Sequence, residues 1–169
     1  FLSWTALARL EQGDPVDLRT IPSIVGGDTS TRHGVVLAKS IPAKAFGITT
    51  GEPVVNALRK CPHLVMASPD HNMYRLKSQM LMEHLAGICP DIEQVSIDEC
   101  YMDYTPIAAN YVSPEEAAAF IRHSVFEKFK FTVNVESLRT GMSAGEQGGN
   151  RQRPHFLRYF PLIQGVSLI

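Results

Sequence analysis

Ser96-Ile97-Asp98-Glu99-Cys100-Tyr101-Met102-Asp103 sets two adjacent carboxylates between two apolar, strand-like segments. Val95-Ser96-Ile97 and Tyr101-Met102-Asp103-Tyr104 read as the arms of a hairpin with Asp98-Glu99 at its tip. Acids held against a sheet are costly unless a cation or a donor compensates them. Mg²⁺ is suited to that task, because it takes hard oxygen ligands and shares one or two carboxylates with phosphates. In phosphoryl chemistry with two metal ions, one activates the attacking oxygen and both steady the transferred phosphate. An acidic pair by itself is also what solvated turns favour, so the surrounding chain has to decide.

Upstream of the hairpin, residues 71–87 read as a long helix. Met73, Leu76 and Met80 form one apolar stripe, continued by Leu81, Leu85 and Ile88, and Gly87 and Pro90 stop it. Met73, Met80 and Met82 are expected as core filler. Downstream, Ser113-Pro114-Glu115-Glu116 has the spacing of a capping box with Pro at the first helical position. The helix it opens runs to about Lys130, with Ala117, Ile121 and Val125 on one face. Phe131-Thr132-Val133-Asn134-Val135 follows as a strand.

Toward the N-terminus, Leu2, Ala6 and Leu10 recur at fourfold spacing and predict a helix over 2–11, broken by Gly13-Asp14-Pro15. Ser23-Ile24-Val25 and Gly34-Val35-Val36-Leu37 are short β-branched runs, and Leu64-Val65-Met66 is a third, expected to be buried. Residues 53–60 form a short helix with Pro53 in its first turn. The order αββαβαββαβ up to Val135 predicts helices covering an antiparallel or mixed sheet.

The 169 residues amount to about one domain. Sixteen basic against seventeen acidic side chains leave a formal charge of −1, with 44% apolar and 20% charged residues. That composition excludes disorder. It also departs from a basic nucleic-acid module, since the pI is about 6.6 and such modules lie above about 9. Cys61, Cys89 and Cys100 form no CxxC pair. They are expected to be buried, reduced thiols of a cytoplasmic protein, and with His63 or His84 they fit no zinc spacing. No apolar run approaches the roughly 18 residues of a membrane span. Phe1-Leu2-Ser3-Trp4 carries no basic segment of a secretion signal.

Together these motifs resemble the Y-family (UmuC-like) translesion DNA polymerases. Ser96 to Asp103 resembles the family's catalytic palm motif: Ser-Ile-Asp-Glu, a small residue, an aromatic, an apolar residue and Asp. Gly26-Gly27-Asp28 and Arg32-His33-Gly34-Val35-Val36 resemble its strand, loop and strand. Ser40-Ile41-Pro42-Ala43-Lys44-Ala45-Phe46-Gly47 resembles its fingers segment. Pro53 to Pro62 matches a Pro-x-x-x-Ala-x-x-x-Cys-Pro helix, and Tyr74 with Ser78 a Tyr-x-x-x-Ser helix. Phe1-Leu2-Ser3-Trp4 resembles the tail of its first motif. The likeness spans residues 1–135, in family order.

The resemblance implies an α/β (α+β) fold: a truncated, ferredoxin-like polymerase palm over residues 1–135 with a small fingers insertion at about 19–68. It implies template-directed deoxynucleotidyl transfer past damaged bases, in DNA repair and damage tolerance. Asp98 and Glu99 would be the catalytic residues and the Mg²⁺ ligands. Phe1 would exclude a ribose 2′ hydroxyl, and Ser40 and Lys44 would meet the triphosphate. The implied partners are damaged primer-template DNA, a deoxynucleoside triphosphate, and a sliding clamp reached through a C-terminal region beyond this segment. No membrane is implied.

Several positions depart from the family pattern. Lys44 replaces an Arg, keeping the charge but losing the bidentate fork. Ile41 stands at a usual Tyr and Thr5 at a frequent Glu. The family's first metal-binding Asp falls before Phe1, so the segment alone is expected to be inactive. Glu136-Ser137-Leu138-Arg139-Thr140 does not match the family's continuation after Val135. A one-base shift of reading frame would restore Gly-Ile-Ala-Pro-Asn there, which makes residues 136–169 an unmatched tail expected to pack poorly. Arg151, Arg153 and Arg158 in that tail are expected on a solvated face. The alternative function is an inactive remnant or an accessory repair fold that binds nucleotide or partners. Gly26-Gly27-Asp28 resembles a diguanylate cyclase motif, but that motif belongs in the hairpin where Asp98-Glu99 stands.

Overall fold

The structure is a computed structural model that describes residues 1–27, 34–139 and 155–161, with side chains described through residue 136. Asp28, Arg32, His33, Arg151 and Arg153 lie outside the described residues. The chain forms two compact units, one of Phe1–Tyr74 and one beginning at Arg75.

In the first unit, α1 (Leu2–Glu11) is closed by a glycine turn. Gly13 takes φ +91°, and the Asp14 amide returns to the Arg9 carbonyl at 2.9 Å. Positive φ is the reason a glycine is needed there. β1 (Ser23–Gly26) is central, with β2 (Val36–Lys39) antiparallel on one side and β3 (Val65–Ala67) parallel on the other. Register pairs Ile24 with Lys39 and with Met66. The short α2 (Ile41–Ala45) and α3 (Val54–Lys60) complete this unit. Its core is Ile24, Val36, Ala43, Ile48, Val54, Ala57, Cys61 and Leu64.

Gly26 and Gly27 sit where neighbours come close. A Cβ on Gly26 would stand 3.0 Å from Val54 Cγ2, and one on Gly27 would stand 3.2 Å from Gly34 Cα. The expectation of a buried third strand holds only in part: Leu64 is buried, but Val65 and Ala67 are half-buried and Met66 is exposed. β3 is an edge strand, so it has a neighbour on one side only.

The second unit continues α4 (His71–Ile88), whose first turn belongs to the first unit. Its buried face is Tyr74, Ser78, Leu81 and Leu85: Leu81 and Leu85 are buried as expected, whereas Leu76 and Met80 of the expected stripe are exposed. Over the first half of the helix the more polar face is the buried one. The winning face buries one phenol and one hydroxyl, each with a hydrogen-bond partner, at 2.8 Å and 3.2 Å. Of the three methionines expected in the core, Met82 is buried, Met73 half-buried and Met80 exposed. Gly87 lies inside α4, and the helix ends one residue later at Ile88.

β4 (Ile92–Ser96) and β5 (Glu99–Asp103) form the expected hairpin, followed by a 3₁₀ turn at Thr105–Asn110. α5 (Pro114–Phe129) has the predicted cap: Ser113 Oγ accepts from the Glu116 amide at 3.3 Å. The Glu116 carboxylate reaches back to the Val112 amide at 2.6 Å, one residue beyond a capping box. Ala117, Ile121 and Val125 are buried as expected. Lys130 closes the helix at φ 58°, a left-handed position more often held by glycine.

β6 (Val133–Arg139) and β7 (His155–Pro161) complete an antiparallel sheet of order β4-β5-β7-β6. Together with α4 and α5 this is a ferredoxin-like arrangement. Its inner position is filled by β7, with Tyr101 and Glu136 both in register with Arg158. Residues 136–139 and 155–161 of the expected unmatched tail are therefore sheet strands. β5 alternates, with Cys100 and Met102 fully buried and Glu99, Tyr101 and Asp103 half-buried.

Candidate active site

The acidic tip follows from the hairpin register. Ser96 pairs with Glu99 across an irregularity in the ladder, leaving Ile97 and Asp98 as the turn. Glu99 is the first residue of β5, and both carboxylates are half-buried. Asp98 is aimed locally. Ser96 Oγ donates to Asp98 Oδ1 at 3.1 Å and accepts from the Asp98 amide at 3.4 Å.

That turn is braced from α4 by a residue the motif did not single out. Gln94 Nε2 donates to the Ser96 carbonyl at 2.9 Å and to Ser78 Oγ at 3.2 Å. Ser78 is buried, so a helix fixes the hydrogen-bonding frame of the tip. The signal was the Tyr-x-x-x-Ser spacing, but Gln94 carries none of its own.

A metal ion held wholly by protein needs several ligands, and among the described residues no group of three His, Cys, Asp or Glu has that geometry. Two adjacent carboxylates fit the other mode, in which Mg²⁺ keeps waters and shares its shell with substrate phosphates. The donor set thus suits Mg²⁺ arriving with a nucleotide.

Behind the tip, all three cysteines are buried, as expected of structural thiols. Cys89 Sγ donates to the Asp103 carbonyl at 2.9 Å. Burial pushes the Cys100 thiol up to about 12, with smaller contributions from Cys89 and Glu99. Both groups are protonated at neutral pH and unsuited to nucleophilic or metal-binding roles.

Phe1, Ser40 and Lys44 lie in the first unit. Ser40 caps α2: its Oγ accepts from the Ala43 amide at 3.1 Å and the Ser23 amide at 3.0 Å, and donates to the Ile21 carbonyl at 2.7 Å. A buried hydroxyl so engaged braces α2. Lys44 stands exposed in the last turn of α2. Phe1 is half-buried at the start of α1 and stacks on Tyr74, with ring centroids 4.7 Å apart and planes at 19°.

The fold is that of a Y-family polymerase palm. It superposes on a chimeric Y-family DNA polymerase with a TM-score of 0.63 at 23% identity, covering 75% of this chain and 38% of that one. It matches DinB from Sulfolobus solfataricus with the same TM-score at 26% identity, over 77% of this chain and 38% of that structure. In sequence, the pattern of the impB/mucB/samB (IMS) family matches residues 5–142, and the chain belongs to that family. Asp98, Glu99, Ser40 and Lys44 fall inside the match, and Phe1 precedes it. A DNA polymerase IV from Clostridium acetobutylicum is 46% identical over 135 residues, 80% of this chain and 34% of that protein. Another, from Alkaliphilus oremlandii, is 39% identical over 126 residues, 75% and 30% of the two chains. The chain thus spans about a third of the length of these relatives.

Proposed function

We propose that this chain is the palm-and-fingers portion of a translesion DNA polymerase, and that its task is to hold a deoxynucleoside triphosphate for transfer to a primer end. The observation that carries the reading is the acidic hairpin tip, with Asp98 aimed by Ser96 and braced through Gln94 by α4. The family membership and the relatives called DNA polymerase IV support it.

In this reading Asp98 and Glu99 are the catalytic carboxylates and would hold Mg²⁺. Bound there, Mg²⁺ supplies charge neutralisation for the phosphates and lowers the proton affinity of the attacking oxygen. The chain's own residues supply position. Lys44 offers a cation to the triphosphate, Ser40 keeps the helix that carries Lys44 in place, and Phe1 excludes a ribose 2′ hydroxyl. With little covalent chemistry for protein groups to perform, catalysis by such a site is placement and electrostatics. Residues 1–135 would form most of the palm, with residues 19–68 as the fingers, and the tail of residues 136–169 would add the strand residues 136–139 and 155–161 to its sheet. The partners would be damaged primer-template DNA, the nucleotide and a sliding clamp, in the cytoplasm. No helix among the described residues is long and apolar enough to cross a membrane.

Primer extension with Mg²⁺ tests the reading, on this chain and on one joined to the N- and C-terminal regions of a full-length relative. Extension by the joined protein, abolished by Asp98→Ala, is the expected result. Nucleotide binding without extension in either form would favour an accessory or inactive fold instead.

A further inference from the structure

Both members of the Phe1–Tyr74 stack meet one residue that the function above leaves unused, Phe1 through its backbone and Tyr74 through its side chain. Thr5 lies one turn along α1 from Phe1, and its amide donates to the Phe1 carbonyl at 3.0 Å. Its Oγ1 and the Tyr74 phenol oxygen are hydrogen-bonded at 2.8 Å, across 69 residues of sequence. Tyr74 is fully buried, and Thr5 and Trp4 are nearly so. Trp4 and His71 flank the same phenol ring, at 6.2 Å and 6.0 Å between centroids. Tyr74 is itself fixed at the start of α4, where the Asp70 carboxylate accepts from the Met73 amide at 2.9 Å and the Asp70 carbonyl from the Tyr74 amide at 3.0 Å.

The physical consequence is a chain of constraint. A buried phenol without a partner is costly, so the Thr5 bond fixes where the Tyr74 ring lies in its slot. The Tyr74 ring is the surface on which Phe1 rests, in a stacked geometry with its own preferred offset. Phe1 itself is only half-buried, so one side of its ring depends on this support. Without the hydroxyl, Tyr74 would keep its volume but lose the bond that sets its depth.

We propose that Thr5 is a positioning residue for Phe1, acting through the Tyr74 phenol to set how tightly the Phe1 ring discriminates between deoxyribose and ribose triphosphates. The proposal rests on the reading of Phe1 as the sugar-facing aromatic. Thr5 touches no substrate, and its effect is on selectivity more than on affinity.

Trp4 is the chain's single tryptophan and lies beside both rings, so its fluorescence reports on the full chain directly. Mg²⁺-dATP and Mg²⁺-ATP are titrated against the unaltered chain and against Thr5→Val, Thr5→Ser, Tyr74→Phe and Phe1→Ala. The unaltered chain is expected to prefer dATP, and Phe1→Ala to remove the preference. Thr5→Val and Tyr74→Phe should each reduce it about three- to tenfold, the size of one lost hydrogen bond, with dATP affinity within about twofold. The double variant should be no worse than either single one, because both remove the same bond. Thr5→Ser, which restores the hydroxyl and folds with the least disturbance, should recover the preference. If Phe1→Ala abolishes the preference while Thr5→Val and Tyr74→Phe keep it, the role of Thr5 is overturned and that of Phe1 stands. If the chain binds no dATP, or Phe1→Ala changes nothing, the reading of Phe1 falls and the proposal with it.

Discussion

β1 and β4 are strands of similar length with opposite surroundings. All four residues of β1 are buried, whereas four of the five residues of β4 are exposed. β1 is the middle strand of its sheet, and a Cβ on Gly26 or Gly27 would stand only 3.0 Å and 3.2 Å from its nearest neighbours. β4 is an edge strand that ends in the acidic turn. The difference separates two ways of building a site. In the first unit the sheet is scaffold, and the candidate nucleotide contacts sit on the helices around it. In the second unit the hairpin tip carries the carboxylates: Ser96 aims Asp98, and Gln94 ties the turn to Ser78 of α4.

The sharpest test of that division is Asp98→Ala. Extension by the joined protein should fall by on the order of a hundred- to a thousandfold, while the unfolding free energy of this chain from urea titration changes by less than about 0.5 kcal/mol, as for other surface changes. A large stability loss would mean that the tip is scaffold after all. Ile24→Ala, in the middle of β1, should do the reverse. It removes a fully buried side chain from the core of the first unit and should cost about 2–5 kcal/mol by denaturant unfolding. Ser40→Ala should lose about 1–2 kcal/mol, because it strips the cap of α2 and the Ser23 amide of its acceptor at once.

Acid should also divide the two units. Burial raises the Glu52 carboxyl, but the Lys60 ammonium at 2.7 Å and the Thr49 amide at 2.7 Å outweigh it and leave the group below its ordinary value. Its stabilisation is therefore complete above the unfolded value of about 4.3 and is lost as pH falls through the lower folded value. His84 is held below its ordinary value by burial and by Lys128, with its Nε2 2.8 Å from Ser124 Oγ. Between about 6.5 and that lower value only the unfolded chain takes up the proton, so stability falls as pH falls. The protection factors of α5 amides, corrected for the intrinsic exchange rate, should fall from about pH 6.5 downward, and those of α3 only near pH 4. His84→Gln should remove the first step and Lys60→Met the second. The smallest change should come from Val95→Ala on exposed β4, within about 0.5 kcal/mol. A larger cost would show that this edge is covered in solution.

Much of this was legible in the residues because the signals act within a turn or two of chain. Ser113 and Glu116 announce the start of α5, the spacing of Ala117, Ile121 and Val125 announces its buried face, and the Asp98-Glu99 turn announces the hairpin. The choice between two possible faces of α4 was not local. Met73, Leu76 and Met80 are at least as apolar as the face that won, and what decided was whether Tyr74 and Ser78 could find partners. The partners of Gln94 and Thr5 were not legible in the sequence for the same reason, since they lie 16 and 69 residues away.

The sequence by itself determined the order of elements, their caps, the acidic tip and the family, because propensity, capping and motif spacing are short-range properties. Tertiary structure alone decided that 155–161 lies between β5 and β6, that the Ser40 hydroxyl is spent on holding α2, and that Thr5 supports the stack beneath Phe1. Those outcomes depend on which distant groups meet. A buried donor or acceptor must find a partner wherever the fold provides one.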